Sequence, residues 1–196
     1  MTSRGDGRPV LRLFPTKYAS IERSIHMLPL PFLLNGVAQI AFVVEDLDKT
    51  VENYHRLFGI GPWHFYTYEK PILSHMTRNG ETVDYAMRVA LSYFGSSRIE
   101  LIEQKRGDTV YQEFIDSHGF GIHHLGVLVD DMEEALTLAR EAGLKVTMDG
   151  AGFGLDGDGH YAYLDTEKLL GTTIELICRP KARRVPEKVY PPISRI

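Results

Sequence analysis

The sequence repeats itself. Gly36-Val37-Ala38-Gln39-Ile40-Ala41-Phe42-Val43-Val44-Glu45-Asp46-Leu47-Asp48-Lys49-Thr50 returns 85 positions later as Gly121-Ile122-His123-His124-Leu125-Gly126-Val127-Leu128-Val129-Asp130-Asp131-Met132-Glu133-Glu134-Ala135. Each copy reads as a glycine, a short apolar strand with a polar residue three positions in, an acidic pair, and then an amphipathic helix. A second echo closes each copy, with Arg98-Ile99-Glu100-Leu101-Ile102-Glu103 answered by Thr173-Ile174-Glu175-Leu176-Ile177-Cys178 at an offset of 75. Two copies of one supersecondary unit, each short of a partner for its apolar face, are expected to pack against each other. A chain of 196 residues has room for one sizeable core or two small, intimately packed units.

The elements between the echoes follow from local pattern. Val37 to Val44 is apolar and β-branched, as a strand is. Leu47, Val51, Tyr54 and Phe58 recur at helical spacing, with Asp46 as N-cap and Gly59 and Gly61 ending the helix. The aromatic run Pro62-Trp63-His64-Phe65-Tyr66-Thr67-Tyr68 and strands over 85–94 and 98–103 complete the first unit. Residues 104–120 connect, polar with a short helical segment around Val110, Phe114 and Ile115. In the second unit Met132, Ala135, Leu136 and Ala139 share one helix face, Asp131 and Glu134 form an acidic capping box, and Gly143 ends the helix. Five glycines among acidic residues between Asp149 and His160 predict a loop over an opening, and strands over 161–164 and 172–177 follow. The division is an amino-terminal extension over 1–35, a first module over 36–103, a linker over 104–120, a second module over 121–178 and a basic, proline-rich tail over 179–196. That tail is expected to be solvated or to clasp a second subunit.

Composition excludes several classes. A net charge of −4 argues against a nucleic-acid surface, and the glycine-rich run lacks phosphate-cradle spacing. The most apolar stretch, Met27 to Leu34, is broken by Pro29 and Pro31 and is far too short to span a membrane, so a cytoplasmic protein is expected. A single cysteine, Cys178, permits no internal disulfide and reads as a small buried residue.

The chemistry is carried by four polar residues at matched positions, Gln39 with His124 and Glu100 with Glu175. Alternation places Gln39 with Ala41 and Val43 on one face of its strand, and His124 with Gly126 and Leu128 on one face of its own. His123 then points the other way, with Leu125 and Val127, as a satisfied core or interface histidine. Glu100 and Glu175 each sit between apolar neighbours, where an unpaired carboxylate costs several kcal/mol. A divalent cation compensates both: two carboxylates, one amide oxygen and one imidazole nitrogen form an oxygen-rich shell of charge about −2. The aromatic stretch reads as core packing or as a pocket wall of Trp63, His64, Phe65 and Tyr66 for a flat or apolar substrate.

The paired Ile-Glu-Leu-Ile strands at 99–102 and 174–177, together with Gly121-Ile122-His123-His124-Leu125-Gly126-Val127 and its echo, resemble the vicinal oxygen chelate superfamily over roughly residues 36–178. Its members include glyoxalase I, methylmalonyl-CoA epimerase, extradiol dioxygenases and fosfomycin or bleomycin resistance proteins. The resemblance implies an α+β fold of two βαβββ modules whose sheets curve into an open barrel around a metal. The superfamily's ligand positions fall on Gln39, Glu100, His124 and Glu175, a set similar to that of zinc-type glyoxalase I. It departs from the two histidines and one carboxylate that hold iron in extradiol dioxygenases.

The resemblance further implies one divalent ion, whether zinc, nickel, cobalt, manganese or iron. It implies proton transfer next to a carbonyl, as in an isomerase, epimerase or lyase, with Glu175 or Glu100 as general base. Epimerisation needs a second acid or base, for which His64, Glu69 and His160 are candidates; His160 is also counted to the substrate pocket. A ring-cleaving or other dioxygenase, and a metal-free binding or resistance protein, are the competing readings. The expected partner is a small molecule, with no nucleic acid and no membrane. A homodimer is expected, and the linker permits a barrel closed within one chain or swapped across two.

Overall fold

In the computed structural model, which describes residues 29–34 and 36–192, a 3₁₀ turn at Pro31–Leu33 precedes the first strand. The chain then runs β1 (Gln39–Val43), α1 (Leu47–Phe58), β2 (Trp63–Tyr68), β3 (His75–Arg78), β4 (Glu81–Thr82), β5 (Ala86–Phe94) and β6 (Ser97–Arg106). It continues with α2 (Val110–His118), β7 (Gly121–Leu128), α3 (Met132–Glu141), β8 (Val146–Ala151), β9 (His160–Leu164), α4 (Glu167–Leu170), β10 (Thr173–Cys178) and β11 (Lys188–Tyr190). The expected extension over 1–35 lies outside the described residues except for 29–34, where Phe32 packs against the α3 side of the sheet.

The strand-to-helix junctions are set by their acidic pairs. Asp46 accepts from Lys49 N at 2.9 Å to start α1, and Asp131 accepts from Glu134 N at 3.0 Å to start α3. Gly59, at φ 68°, ends α1 in the left-handed conformation that spares a glycine any Cβ clash.

All strands join one mixed, curled sheet in the order β11-β2-β5-β6-β1-β7-β10-β9-β8-β3-β4. The two repeats meet in the middle, within one chain, through the antiparallel pair β1 and β7. The repeat extends to register. β1 runs parallel to β6 with Ala41 opposite Glu100, and β7 runs parallel to β10 with Gly126 opposite Glu175. In each case the glutamate stands opposite the residue two beyond Gln39 or His124, and that shared offset brings all four to the centre of one face.

Alternation divides the apolar residues between the faces. Leu47 and Val51 of α1 pack on Trp63, Phe65, Ala90, Ile99 and Leu101, while Met132, Ala135 and Ala139 of α3 pack on Val127, Ala162, Leu164, Ile174 and Leu176. The concave face carries Ala41, Val43, Tyr66, Tyr68, Val89, Ile102, Met148, Tyr161 and Tyr163. The result is an open half-barrel with helices outside and an aromatic interior.

Several elements differ from expectation. β8 includes Asp149–Ala151, which composition placed in the loop; Gly150 weakens the strand signal, but the segment is paired on both sides, by β9 and β3. The hairpin of β3 and β4 was not expected, although Asn79-Gly80 between paired Arg78 and Glu81 is a strong turn signal, with φ of 51° and 84°. The tail does not hang free. Lys188–Tyr190 pairs with Phe65, His64 and Trp63, and Glu187 accepts from Thr67 N at 2.7 Å, so the tail covers the edge that β2 would otherwise expose.

Candidate active site

Gln39, Glu100, His124 and Glu175 rise from the four central strands and are all buried, His124 completely. His124 Nε2 lies 3.1 Å from Glu175 Oε2 and 3.6 Å from Glu100 Oε2. Gln39 Nε2 donates to Glu100 Oε2 at 2.8 Å and to Glu175 Oε2 at 2.9 Å, and stands 3.4 Å from His124 Nε2. One ring nitrogen and two carboxylate oxygens therefore converge on a point beside the Gln39 NH₂.

Expected as a fourth ligand through its amide oxygen, Gln39 instead presents its NH₂ to the carboxylates. Its Oε1 is taken by Arg98 Nε at 2.6 Å. Turning the amide over would set its NH₂ against a guanidinium N–H, so Arg98 opposes that rotation. The set whose potential ligand atoms face one another is Glu100, His124 and Glu175, with His124 able to ligate once Nε2 has lost its proton.

The sequence places His123 on the opposite face, but a β-bulge corrects this. Ala41 is opposite His124 while Phe42 is opposite Ile122, so His123 is the extra residue and both imidazoles turn inward. His123 packs edge-on against Tyr111, Phe114 and Tyr163, and its Nδ1 lies 2.8 Å from His124 Nδ1. Burial and the neighbouring His124 charge hold His123 well below the ordinary histidine range, so it is the neutral partner. Burial also pulls His124 down, but the Glu175 and Glu100 carboxylates outweigh it and raise His124 to about 9. His124 thus donates Nδ1–H to His123 and aims Nε2 at the carboxylates, the fixed ring orientation that a metal-binding imidazole needs.

Gln39, Glu100 and Glu175 open into a cavity of about 30 Å³ lined also by Tyr68, Leu91, Arg98, Phe153, Tyr161, Ile177 and Arg183, with His124 buried behind them. Phe153 comes from the glycine-rich loop and Arg183 from the tail, and these two segments are joined by a bridge between Gly154 and Arg183. They form the cover over the site. A separate cavity of about 260 Å³, between α2 and α4, is lined by Glu113, Phe114, His118 and Glu167, and none of the quartet reaches it.

Of the expected pocket wall, His64 and Tyr66 line a cavity beside the quartet with Arg98. Trp63 and Phe65 alternate to the other face and pack beneath α1. His160 stands away from the quartet, with Ala162 and Leu164 on the outer face, bonded with His75 to Asp149 at 3.2 and 3.3 Å. Asp149 also accepts from Thr77, and this outer group is the other cluster with metal-ligand character among the described residues. Glu69 pairs with Arg106 at the surface. Sequence reasoning missed Arg98, His123 and Arg183. Adjacency to His124, and a position two residues before Glu100 on the same face, were the available signals for the first two.

Gly126 is required by this packing. A Cβ there would stand 2.7 Å from Ile177 Cδ1, 2.9 Å from Gln39 Cβ and 3.0 Å from Glu175 Oε2. Gly126→Ala is therefore expected to displace Gln39 and Glu175 and to weaken metal binding about 10–100-fold, as loss of a ligand's support does. Chelator competition reads this directly, and an unchanged affinity would show that the pair does not depend on that space.

The comparisons agree with this architecture. The model of the Glyoxalase/Bleomycin resistance protein/Dioxygenase superfamily matches residues 38–163, from β1 through most of β9, including Gln39, Glu100 and His124. No curated protein matches the chain. Among solved structures, a Streptomyces coelicolor methylmalonyl-CoA epimerase variant in complex with 2-nitronate-propionyl-CoA is 23% identical, covers 72% of this chain and 94% of its own, and has a TM-score of 0.54. Methylmalonyl-CoA epimerase from Mycobacterium tuberculosis is 23% identical over 78% and 93% of the two chains, with a TM-score of 0.56. A methylmalonyl-CoA epimerase in complex with methylmalonyl-CoA and NH4+ is 21% identical over 76% and 97%, with a TM-score of 0.55. At such identities these structures show a shared fold. The repeated strand, helix and strands, the curled sheet and a family match across most of both copies lead to one assignment: the chain belongs to the glyoxalase/bleomycin resistance protein/dioxygenase superfamily.

Proposed function

We propose that this protein is a divalent-metal-dependent enzyme that moves a proton at the carbon next to a carbonyl, as an isomerase, epimerase or lyase. The observation that carries the reading is the convergence of Glu100 Oε2, His124 Nε2 and Glu175 Oε2, mutually within 4.8 Å, at a buried spot where the two glutamates line a cavity. Their donor chemistry fits a hard or borderline divalent ion, whose charge matches that of the two carboxylates. The three residues would hold the ion, with Gln39 joining only if its amide turns away from Arg98. Bound there, such an ion supplies Lewis acidity that polarises a carbonyl and stabilises the enolate formed from it.

The protein's own residues supply the rest. In both glutamates Oε2 meets Gln39 and His124, and among the described residues no hydrogen bond occupies Oε1. Glu175 or Glu100 is thus left an oxygen with which to take a proton from a carbon held in the cavity. His123 keeps His124 Nε2 in place. Tyr68, Leu91 and Phe153 exclude water above the reacting carbon. For epimerisation His64 is the favoured second acid or base: of His64, Glu69 and His160, it lines a cavity with Arg98 and Arg183, which also line the adjoining cavity of Gln39, Glu100 and Glu175. The epimerase structures of the same fold point the same way for the reaction class.

Metal content of protein purified without a metal-affinity step tests the reading. Near-stoichiometric zinc, cobalt, nickel or manganese is expected in the wild type, with loss of most of it in Glu100→Ala. Iron accompanied by oxygen consumption would favour a dioxygenase. No metal in either protein after reloading would sink the proposal.

A further inference from the structure

Two arginines beside the quartet face a cavity that contains no acid. Arg98 precedes Glu100 by two residues on β6, shares its concave face and is 4% exposed. One of its nitrogens, Nε, is used by Gln39. Arg183 approaches from the tail, where its Nη1 donates to the Tyr68 hydroxyl at 3.4 Å and its guanidinium carbon lies 5.9 Å from the centre of the Phe153 ring. Among the described residues no carboxylate forms an ion pair with either guanidinium. Both line the quartet's cavity and an adjoining one of about 190 Å³, whose wall includes His64, Tyr66 and Tyr93.

The charge is one-sided in the adjoining cavity, whose wall carries both guanidiniums and no carboxylate. The only carboxylates lining the two cavities are Glu100 and Glu175, and these are engaged by His124 and Gln39. Arg98 and Arg183 line the same two cavities, so two positive charges share one opening. Burial raises the Tyr66 phenol while both guanidiniums oppose that rise, which puts Tyr66 in the same field. Partly desolvated like charges destabilise a fold unless an anion joins them. Guanidinium forks are matched to planar or tetrahedral oxyanions, which they can grip with paired N–H bonds. The adjoining cavity is smaller than the roughly 300–1,000 Å³ of whole small-molecule pockets, so it suits one group of a ligand.

We propose that Arg98 and Arg183 form an anion subsite, which receives a carboxylate or phosphate group of the substrate while its carbonyl lies at Glu100, His124 and Glu175. Assigning that anion to the substrate rests on the proton-transfer reading above, whereas the subsite rests on the two guanidiniums alone. The tail is then part of the binding site, since it delivers Arg183 to the mouth of the barrel.

Calorimetric titration of the full-length protein tests this, with malonate and inorganic phosphate as separate probes and neutral malonamide as control. Both metal-loaded and chelator-treated protein would be used, for the wild type, Arg183→Gln and Glu175→Gln. At least one anion is expected to bind the wild type in both forms, while malonamide does not bind. The tighter of the two identifies the group as carboxylate or phosphate. Arg183→Gln is expected to weaken that binding about tenfold or more, the effect of losing a charged hydrogen bond, and Glu175→Gln to leave it equal or tighter. Wild type and Arg183→Gln within twofold of each other, or no anion bound by any form, would overturn the subsite. Binding seen only with metal and lost in Glu175→Gln would also overturn it, placing the anion on the ion instead. If no metal is retained yet Arg183-dependent binding persists, the proton-transfer reading fails and the subsite stands.

Discussion

Glu175→Gln is expected to leave the protein folded and to stop its turnover. The substitution keeps the shape of the side chain, and its neighbours Ile174 and Leu176 pack under α3 on the other face of β10, so the core is undisturbed. What changes is charge. Oε2 of Glu175 is the closest carboxylate oxygen to His124 Nε2, at 3.1 Å, and it also accepts from Gln39. A neutral amide there removes half of the carboxylate charge available to a divalent ion and one of two candidate bases. Loss of general-base catalysis alone costs about 10²–10⁴ in rate, and loss of the ion deepens the defect. Deuterium uptake from D₂O next to the carbonyl of a substrate panel, followed by NMR, reads turnover, while metal analysis and thermal unfolding report the site and the fold. Exchange within tenfold of the wild type, with metal retained, would remove Glu175 from the chemistry.

Much of this arrangement was legible in the sequence because it depends on rules of short range. Strand alternation and a repeat offset of 85 in one strand and 75 in the other suffice to align Gln39 with His124 and Glu100 with Glu175. The structure brings the four together because the parallel pairs β1–β6 and β7–β10 share one register. Features set by long-range pairing were not legible. A bulge is decided by the register between two strands 80 residues apart, so alternation sends His123 to the wrong face. β8 is a strand because β3 and β9 flank it, although Asp149 and Gly150 read locally as loop. Arg183 lies in a proline-rich segment that resembles a solvated tail until the open edge of β2 is known to exist. The orientation of the Gln39 amide depends on Arg98, and nothing in the residue type of either announces it.

The aromatic segment gives the largest expected effect on stability. Trp63 is fully buried, donates from Nε1 to Ile60 O at 2.8 Å and lies 5.8 Å, ring centre to ring centre, from Tyr54 of α1. It fills the space between α1 and the sheet together with Leu47, Val51, Phe65 and Leu101. Trp63→Ala is therefore expected to cost about 3–5 kcal/mol, from lost burial and the cavity left behind. For a chain of this size that lowers the melting temperature by roughly 10 °C. Because Trp63 and the quartet occupy opposite faces of the sheet, metal affinity measured well below the transition is expected to stay near that of the wild type. His64→Ala, one residue away but on the cavity side, is expected to show the reverse, with stability nearly unchanged. If Trp63→Ala cannot be purified folded, Trp63→Phe gives the same comparison with a smaller loss. A Trp63 variant as stable as the wild type but altered in ligand binding would return this residue to the pocket wall. That outcome would mean that alternation along β2 does not divide core from cavity as the structure has it.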